Sequence, residues 1–154
     1  MQVTVHNEEE MVGLGRLLAG VLEINDIVYL IGELGAGKTT LVRGIARGLG
    51  YTGRVTSPSF TLMNIYQAQI NIFHFDFYRL EDSDLDDLGL DDYLDKDGLC
   101  LIEWPQVGEN ILPAEALVLN IAIVNGDYER ERIVELCPRG NRYRAKVEEL
   151  RKIC

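Results

Sequence analysis

The stretch Ile27-Val28-Tyr29-Leu30-Ile31-Gly32-Glu33-Leu34-Gly35-Ala36-Gly37-Lys38-Thr39-Thr40 decides the fold. Its first five residues are apolar throughout, which suits a central strand covered on both faces. Gly-x-x-x-x-Gly-Lys-Thr follows, with glycines at 32 and 37, and a helical pattern then runs from Thr39 to Leu49 and stops at Gly50. A strand before and a helix after is the context in which this spacing holds phosphate. Glycines let the backbone wrap closely, so the amides of Glu33, Leu34, Gly35, Ala36 and Gly37 are expected to point at phosphate oxygens. The helix start adds its positive end. Lys38 is then placed to reach the β- and γ-phosphates, and the Thr39 hydroxyl to ligate Mg²⁺. Thr40 is expected to donate to the α-phosphate. The reading is of a nucleotide site for ATP and Mg²⁺.

Such a site also needs a carboxylate near the metal, and two apolar runs deliver one each. Asp76 follows Ile72-Phe73-His74-Phe75, and Glu103 follows Leu99-Cys100-Leu101-Ile102. In open α/β sheets ligands bind at the carboxyl ends of the strands. An acid there holds a metal-bound water or orients the attacking one. Which of the two does which job stays open. His74 stands between two phenylalanines, a setting more typical of a hydrogen-bonded core histidine than of a catalyst. Arg79 fits either a charge-stabilising finger or a salt bridge to the acidic stretch that follows it. Trp104 fits either packing or a cover over the nucleotide.

Working outward, Val3-Thr4-Val5 predicts a short strand. Asn7, with Glu10 three residues on, predicts a capped helix over 8–23 with Met11, Leu14, Leu18 and Val21 on its apolar face. Residues 62–67 and 70–75 read as a hairpin, and the acidic stretch beyond as short helices capped by Ser83. Residues 117–124 and 132–137 flank Asn125-Gly126, a turn signal, and predict a C-terminal antiparallel hairpin. A helix over 144–152 closes the chain. The expected class is α/β: one domain over residues 1–154, with a mixed, mostly parallel central sheet flanked by helices.

Composition narrows the function. No apolar run approaches the ~20 residues a membrane span needs, and Cys100, Cys137 and Cys154 form neither a disulfide framework nor a zinc pattern. A reducing cytoplasm is expected. The net charge of −10 opposes direct binding to DNA or tRNA. Nine acids and one base lie between Glu81 and Asp97, whereas eight bases and four acids lie between Arg130 and Cys154. These are either solvated faces or docking patches for a partner protein.

Four segments together resemble the bacterial TsaE family, the ATPase component of tRNA threonylcarbamoyladenosine biosynthesis. They are Gly32 to Thr40, Ser57-Pro58-Ser59-Phe60-Thr61-Leu62, His74-Phe75-Asp76-Phe77-Tyr78-Arg79-Leu80 and Leu101-Ile102-Glu103-Trp104-Pro105. The resemblance implies a compact α/β phosphate-loop domain in which Thr39, Asp76 and Glu103 surround Mg²⁺ or its waters, with Lys38 also catalytic. It implies that 57–61 is a nucleotide-sensitive switch near the γ-phosphate, which brings Thr61 to the nucleotide. Ser59 stands where the family commonly has threonine, and keeps the hydroxyl. Adenine contacts are implied near Glu9 and Glu10, with Met11 where threonine is common. The resemblance further implies that partners TsaB and TsaD carry out the transfer, that tRNA is met through their complex, and that isolated turnover is slow. A kinase would need an arginine-bearing lid, and a switch GTPase would carry Asn-Lys-x-Asp, which the chain lacks.

Overall fold

The computed structural model describes residues 1–81, 84, 89–124 and 131–154. Along the chain the elements are β1 (Gln2–Val5), α1 (Glu8–Ala19), β2 (Ile27–Ile31), α2 (Lys38–Gly48), β3 (Met63–Tyr66) and β4 (Ile72–Asp76). They continue with α3 (Leu90–Leu94), β5 (Leu99–Glu103), a 3-10 turn (Pro105–Gly108), β6 (Ala116–Ile123), β7 (Arg132–Arg139) and α4 (Asn141–Ile153). The strands form one sheet in the order β1-β7-β6-β2-β5-β4-β3. Its centre, β6-β2-β5-β4, is parallel. Antiparallel strands close both sides: β3 on β4, β7 on β6 and β1 on β7. The mixed α/β class expected from the sequence is what the chain adopts, and the two predicted hairpins are present. Ser83, Asp82, Asp86, Asp87 and the Asn125-Gly126 turn lie outside the described residues.

Strand alternation divides the core in two. Val28 and Leu30 face a layer containing α1, α2 and α4, with Leu18, Leu41, Ile45, Tyr143 and Val147 buried against them. Tyr29 faces the other side with Phe73, Phe75, Phe77, Ile102 and Val118. Helices α1 and α2 touch through glycines. A Cβ on Gly44 would lie 2.4 Å from the Val12 carbonyl oxygen, and one on Gly15 would lie 2.6 Å from that of Leu41. Only a bare backbone lets these helices come so close, and α1 thereby seats the helix whose first turn ends the phosphate loop.

The Asn7 side chain accepts from the Glu10 amide at 2.8 Å, the expected cap. The reciprocal bond is shifted by one residue, because the Glu10 carboxylate accepts from the His6 amide at 2.7 Å. Helix α1 ends at Ala19, short of the predicted residue 23. The Gly20 and Val21 amides instead donate three residues back, to Leu17 and Leu18, and beyond them the Glu23 amide donates to the Asp26 carboxylate at 2.7 Å. Helix α4 is longer than predicted, and two of its bases, the half-exposed Arg142 and the buried Lys146, pair with the buried Asp26. Arg142 Nε lies 2.6 Å from Asp26, while Lys146 Nζ lies 2.7 Å from Glu23 and 3.1 Å from Asp26. That part of the basic C-terminal stretch is structural. Among the described residues no helix is long and apolar enough to cross a membrane.

Candidate functional site

The loop after β2 takes backbone angles that its sequence foreshadows. Gly35 (φ 81°) and Gly37 (φ 108°) are both left-handed, where a side chain is strained. Helix α2 starts at Lys38, so Thr39 and Thr40 sit in its first turn. From the far hairpin, Arg132 donates to the carbonyls of Ala36 (3.1 Å, Nε) and Gly35 (3.4 Å, Nη2). The loop's carbonyls are thus engaged from behind. Arg132 was not legible in the sequence, because nothing local to β7 signals a contact so distant along the chain.

Lys38 is buried. Its ammonium donates to the carbonyls of Gly32 and Glu33, the latter at 3.1 Å, and lies 4.4 Å from the centre of the Trp104 ring. Burial pulls its pKa below the ordinary lysine value, and Glu103 and Asp76 only partly oppose that. Trp104 has a left-handed backbone (φ 56°), a rare conformation for a bulky residue and one disfavoured before proline. It aims the indole across the site, where it packs against Tyr78 with ring centres 4.9 Å apart and planes tilted by 45°.

The sheet register brings the two acids together: Asp76 pairs with Glu103 at the ends of β4 and β5, and Leu30 of β2 pairs with Glu103 on its other side. Both are buried. The Asp76 carboxylate accepts from the Ser57 hydroxyl at 3.0 Å and from the Tyr78 amide at 2.9 Å. Glu103 Oε2 lies 2.6 Å from His74 Nε2. His74 is therefore the hydrogen-bonded core histidine its setting suggested.

A cavity of about 400 Å³ opens between the loop and these strand ends. Leu34, Gly35, Ala36, Gly37, Lys38, Thr39 and Thr40 line it from the loop, and Asp76 and Glu103 from the sheet. Glu33 and Thr61 are not among its lining residues. Glu33 turns its carbonyl to Lys38, and the Thr61 hydroxyl lies 3.3 Å from Asn64 Oδ1. Ser57, Ser59, Tyr78, Arg79 and Trp104 complete the wall. The Arg79 guanidinium stacks 4.4 Å from the Phe60 ring. Met11 reaches the loop from α1, its Cε 3.2 Å from where a Gly37 Cβ would stand.

The donor set is hard oxygen: one threonine hydroxyl and two carboxylates. Among the described residues no cluster of three or more His, Cys, Asp or Glu is placed to hold a metal unaided. Magnesium is characteristically held by one or two carboxylates together with substrate phosphates, and these residues fit that requirement.

The family model described as threonylcarbamoyl adenosine biosynthesis protein TsaE matches residues 5–133. The chain belongs to the TsaE family. A Bacillus subtilis protein named tRNA threonylcarbamoyladenosine biosynthesis protein TsaE is 43% identical over 145 residues, covering 94% of this chain and 89% of its own. The Haemophilus influenzae protein of that name is 41% identical over 144 residues, with 89% of each chain covered. The crystal structure of Bacillus subtilis YdiB superposes with a TM-score of 0.84 at 36% identity, covering 99% of this chain and 96% of that one. The TsaE model stops at residue 133, inside β7, so helix α4 lies beyond the matched part, although the Glu23 and Asp26 with which it pairs lie within it.

Proposed function

We propose that this TsaE-family chain is a Mg²⁺-dependent ATPase and an accessory subunit in tRNA threonylcarbamoyladenosine modification, acting on a complex of TsaB and TsaD. The observation that carries the reading is the register-paired Asp76 and Glu103 facing Lys38 and Thr39 across one cavity. In this reading residues 1–154 work as one domain. The loop amides and α2 cradle the triphosphate, Thr40 assists them, and Lys38 leaves the Gly32 and Glu33 carbonyls for phosphate oxygens. Thr39, Asp76 and Glu103 hold Mg²⁺ or its waters, and the ion, when bound, neutralises charge on the transferring phosphoryl group. The 57–61 segment borders the cavity through Ser57 and Ser59 and serves as the switch.

Leu34, Phe60 and Tyr78 are large apolar residues exposed at or near the cavity mouth. A partner that covers them would exclude water from the site, and slow turnover by the isolated chain is expected in this reading. The net charge of −10 supports meeting tRNA through partner proteins, in the cytoplasm.

Calorimetry with ATP and Mg²⁺, with chelator and with GTP, tests the site: uptake is expected with Mg-ATP and is lost with chelator. Phosphate release with and without TsaB and TsaD tests the role, and stimulation together with nucleotide-dependent co-elution is expected. Absence of magnesium-dependent uptake by folded protein would overturn the reading.

A further inference from the structure

His74 lies fully buried on β4 and is not among the residues lining the cavity. One ring nitrogen, Nε2, is 2.6 Å from Glu103 Oε2, and the other, Nδ1, is 3.0 Å from the Tyr66 hydroxyl. That hydroxyl is 3.2 Å from the Thr56 carbonyl, onto which Asn64 Nδ2 also donates at 3.1 Å. A chain of two side chains, Tyr66 and His74, thus runs to Glu103 from the backbone of Thr56, the residue that leads into the 57–61 switch and forms with it the segment 56–61. Beside it, the Ser57 hydroxyl donates directly to Asp76. Both carboxylates of the site are therefore held by the same short segment, one by contact and one by relay.

We propose that Tyr66 and His74 are positioning residues that couple the 56–61 segment to the Glu103 carboxylate. In the tautomer whose Nε2–H donates to the Glu103 carboxylate, Nδ1 is an acceptor, and the single proton of the Tyr66 hydroxyl is shared between Nδ1 and the Thr56 carbonyl, so the two bonds compete. Displacement of Thr56 is transmitted to His74, and through the short Nε2–Oε2 contact to Glu103. Packing allows little slack. The Tyr66 ring is wedged between Tyr51 at 5.0 Å and His74 at 5.8 Å, and the imidazole has no exposed surface. Side chains so confined move together or not at all. Nucleotide-driven movement of the segment would then reorient both acids at once, which makes the catalytic arrangement conditional on the switch. The role assigned to Glu103 rests on the ATPase reading; the coupling itself does not.

The experiment therefore has two arms. In protein without nucleotide, amide hydrogen exchange across 56–61 is measured for wild type, Tyr66→Phe and His74→Asn. Tyr66→Phe keeps the ring contacts and removes the hydroxyl. The His74 ring hydrogen-bonds Tyr66 and Glu103 rather than the segment itself, yet exchange there is expected to rise about threefold or more in both. Unchanged exchange in folded His74→Asn overturns the coupling, whatever the protein binds. In the second arm, Tyr66→Phe is expected to lower kcat about fivefold while the affinity for Mg-ATP stays within about twofold, and to have no further effect in a Glu103→Gln background. Effects of the two substitutions that multiply, or a loss confined to affinity, overturn the proposal even if His74→Asn does not fold. Absence of Mg-ATP uptake by wild type would instead sink the ATPase reading and leave the exchange result to decide the coupling.

Discussion

A buried lysine lies near each end of strand β2, Lys146 from α4 and Lys38 from α2, and the two behave in opposite ways. Lys146, near the N-terminal end, and Lys38, just past the C-terminal end, are each 5% exposed. Burial works to lower the pKa of both. At Lys146, hydrogen bonds to Glu23 and Asp26 more than offset burial, and the ammonium is held more firmly than in water. At Lys38 the bonded partners are neutral carbonyls and an indole, the carboxylates stand further off, and burial prevails. A closed set of opposite charges is architecture. A charge held short of its counter-ions retains affinity for a ligand that can supply them.

Asp26→Ala breaks the comparison where the effect should be largest. It strips a fully buried carboxylate from Arg142, Lys146 and the Glu23 amide. Removing one partner of a buried pair costs about 3–5 kcal/mol, or roughly 10 °C in thermal unfolding for a chain of this size. The affinity of the folded protein for Mg-ATP should not change. An unaltered melting temperature would show that this end is not the structural one.

Lys38→Ala should do the reverse. Mg-ATP affinity by calorimetry is expected to fall about a hundredfold. Because burial disfavours the Lys38 ammonium, its loss should leave the melting temperature unchanged or raise it. A drop in stability matching that of Asp26→Ala would erase the distinction between the two ends.

Gly44→Ala sharpens the picture by disturbing the seat of the phosphate loop without touching it. The added Cβ would meet the Val12 backbone, and overpacking of this kind costs about 1–3 kcal/mol. Urea unfolding should report that loss, and a moderate fall in nucleotide affinity should accompany it as α2 shifts.

The smallest effect belongs to the exposed His6–Glu10 pair at the start of α1. The hydrogen bond to Glu10 raises the His6 pKa above 6.5, so its contribution is full below that value and is lost as pH rises through the raised one. The backbone bond from His6, then the side-chain bond, lowers Glu10 below 4.5, so its contribution is full above that value and is lost on acidification. Helix α1 should be most secure between about pH 4.5 and 6.5. NMR titration of both residues, with and without Asn7→Ala, would show the two shifts.

Local pattern made much of the molecule legible. The apolar run of β2, the glycine spacing after it and the acids ending β4 and β5 were readable because each depends on residues close in the chain. The four segments that carry the family resemblance were readable for the same reason. Helix α1 was predicted too long, since the apolar spacing runs on to Val21 while the backbone already tightens at Gly20 and Val21, whose amides bond three residues back. Thr61 was expected at the nucleotide on the strength of resemblance alone, and its orientation toward Asn64 depends on how the segment rests on β3. The Asp76–Glu103 pairing was beyond reach, because strand register is a property of the assembled sheet.

By itself, the sequence determined that a strand, a glycine-rich turn and a helix would follow one another at 27–49, because backbone sterics and apolar periodicity act over a few residues. Only the tertiary structure decided which charges are neutralised and which stay poised. Desolvation and pairing depend on what packs around each group, so two lysines equally buried can be opposite in kind. The fold closes one of them with carboxylates and leaves the other facing a cavity.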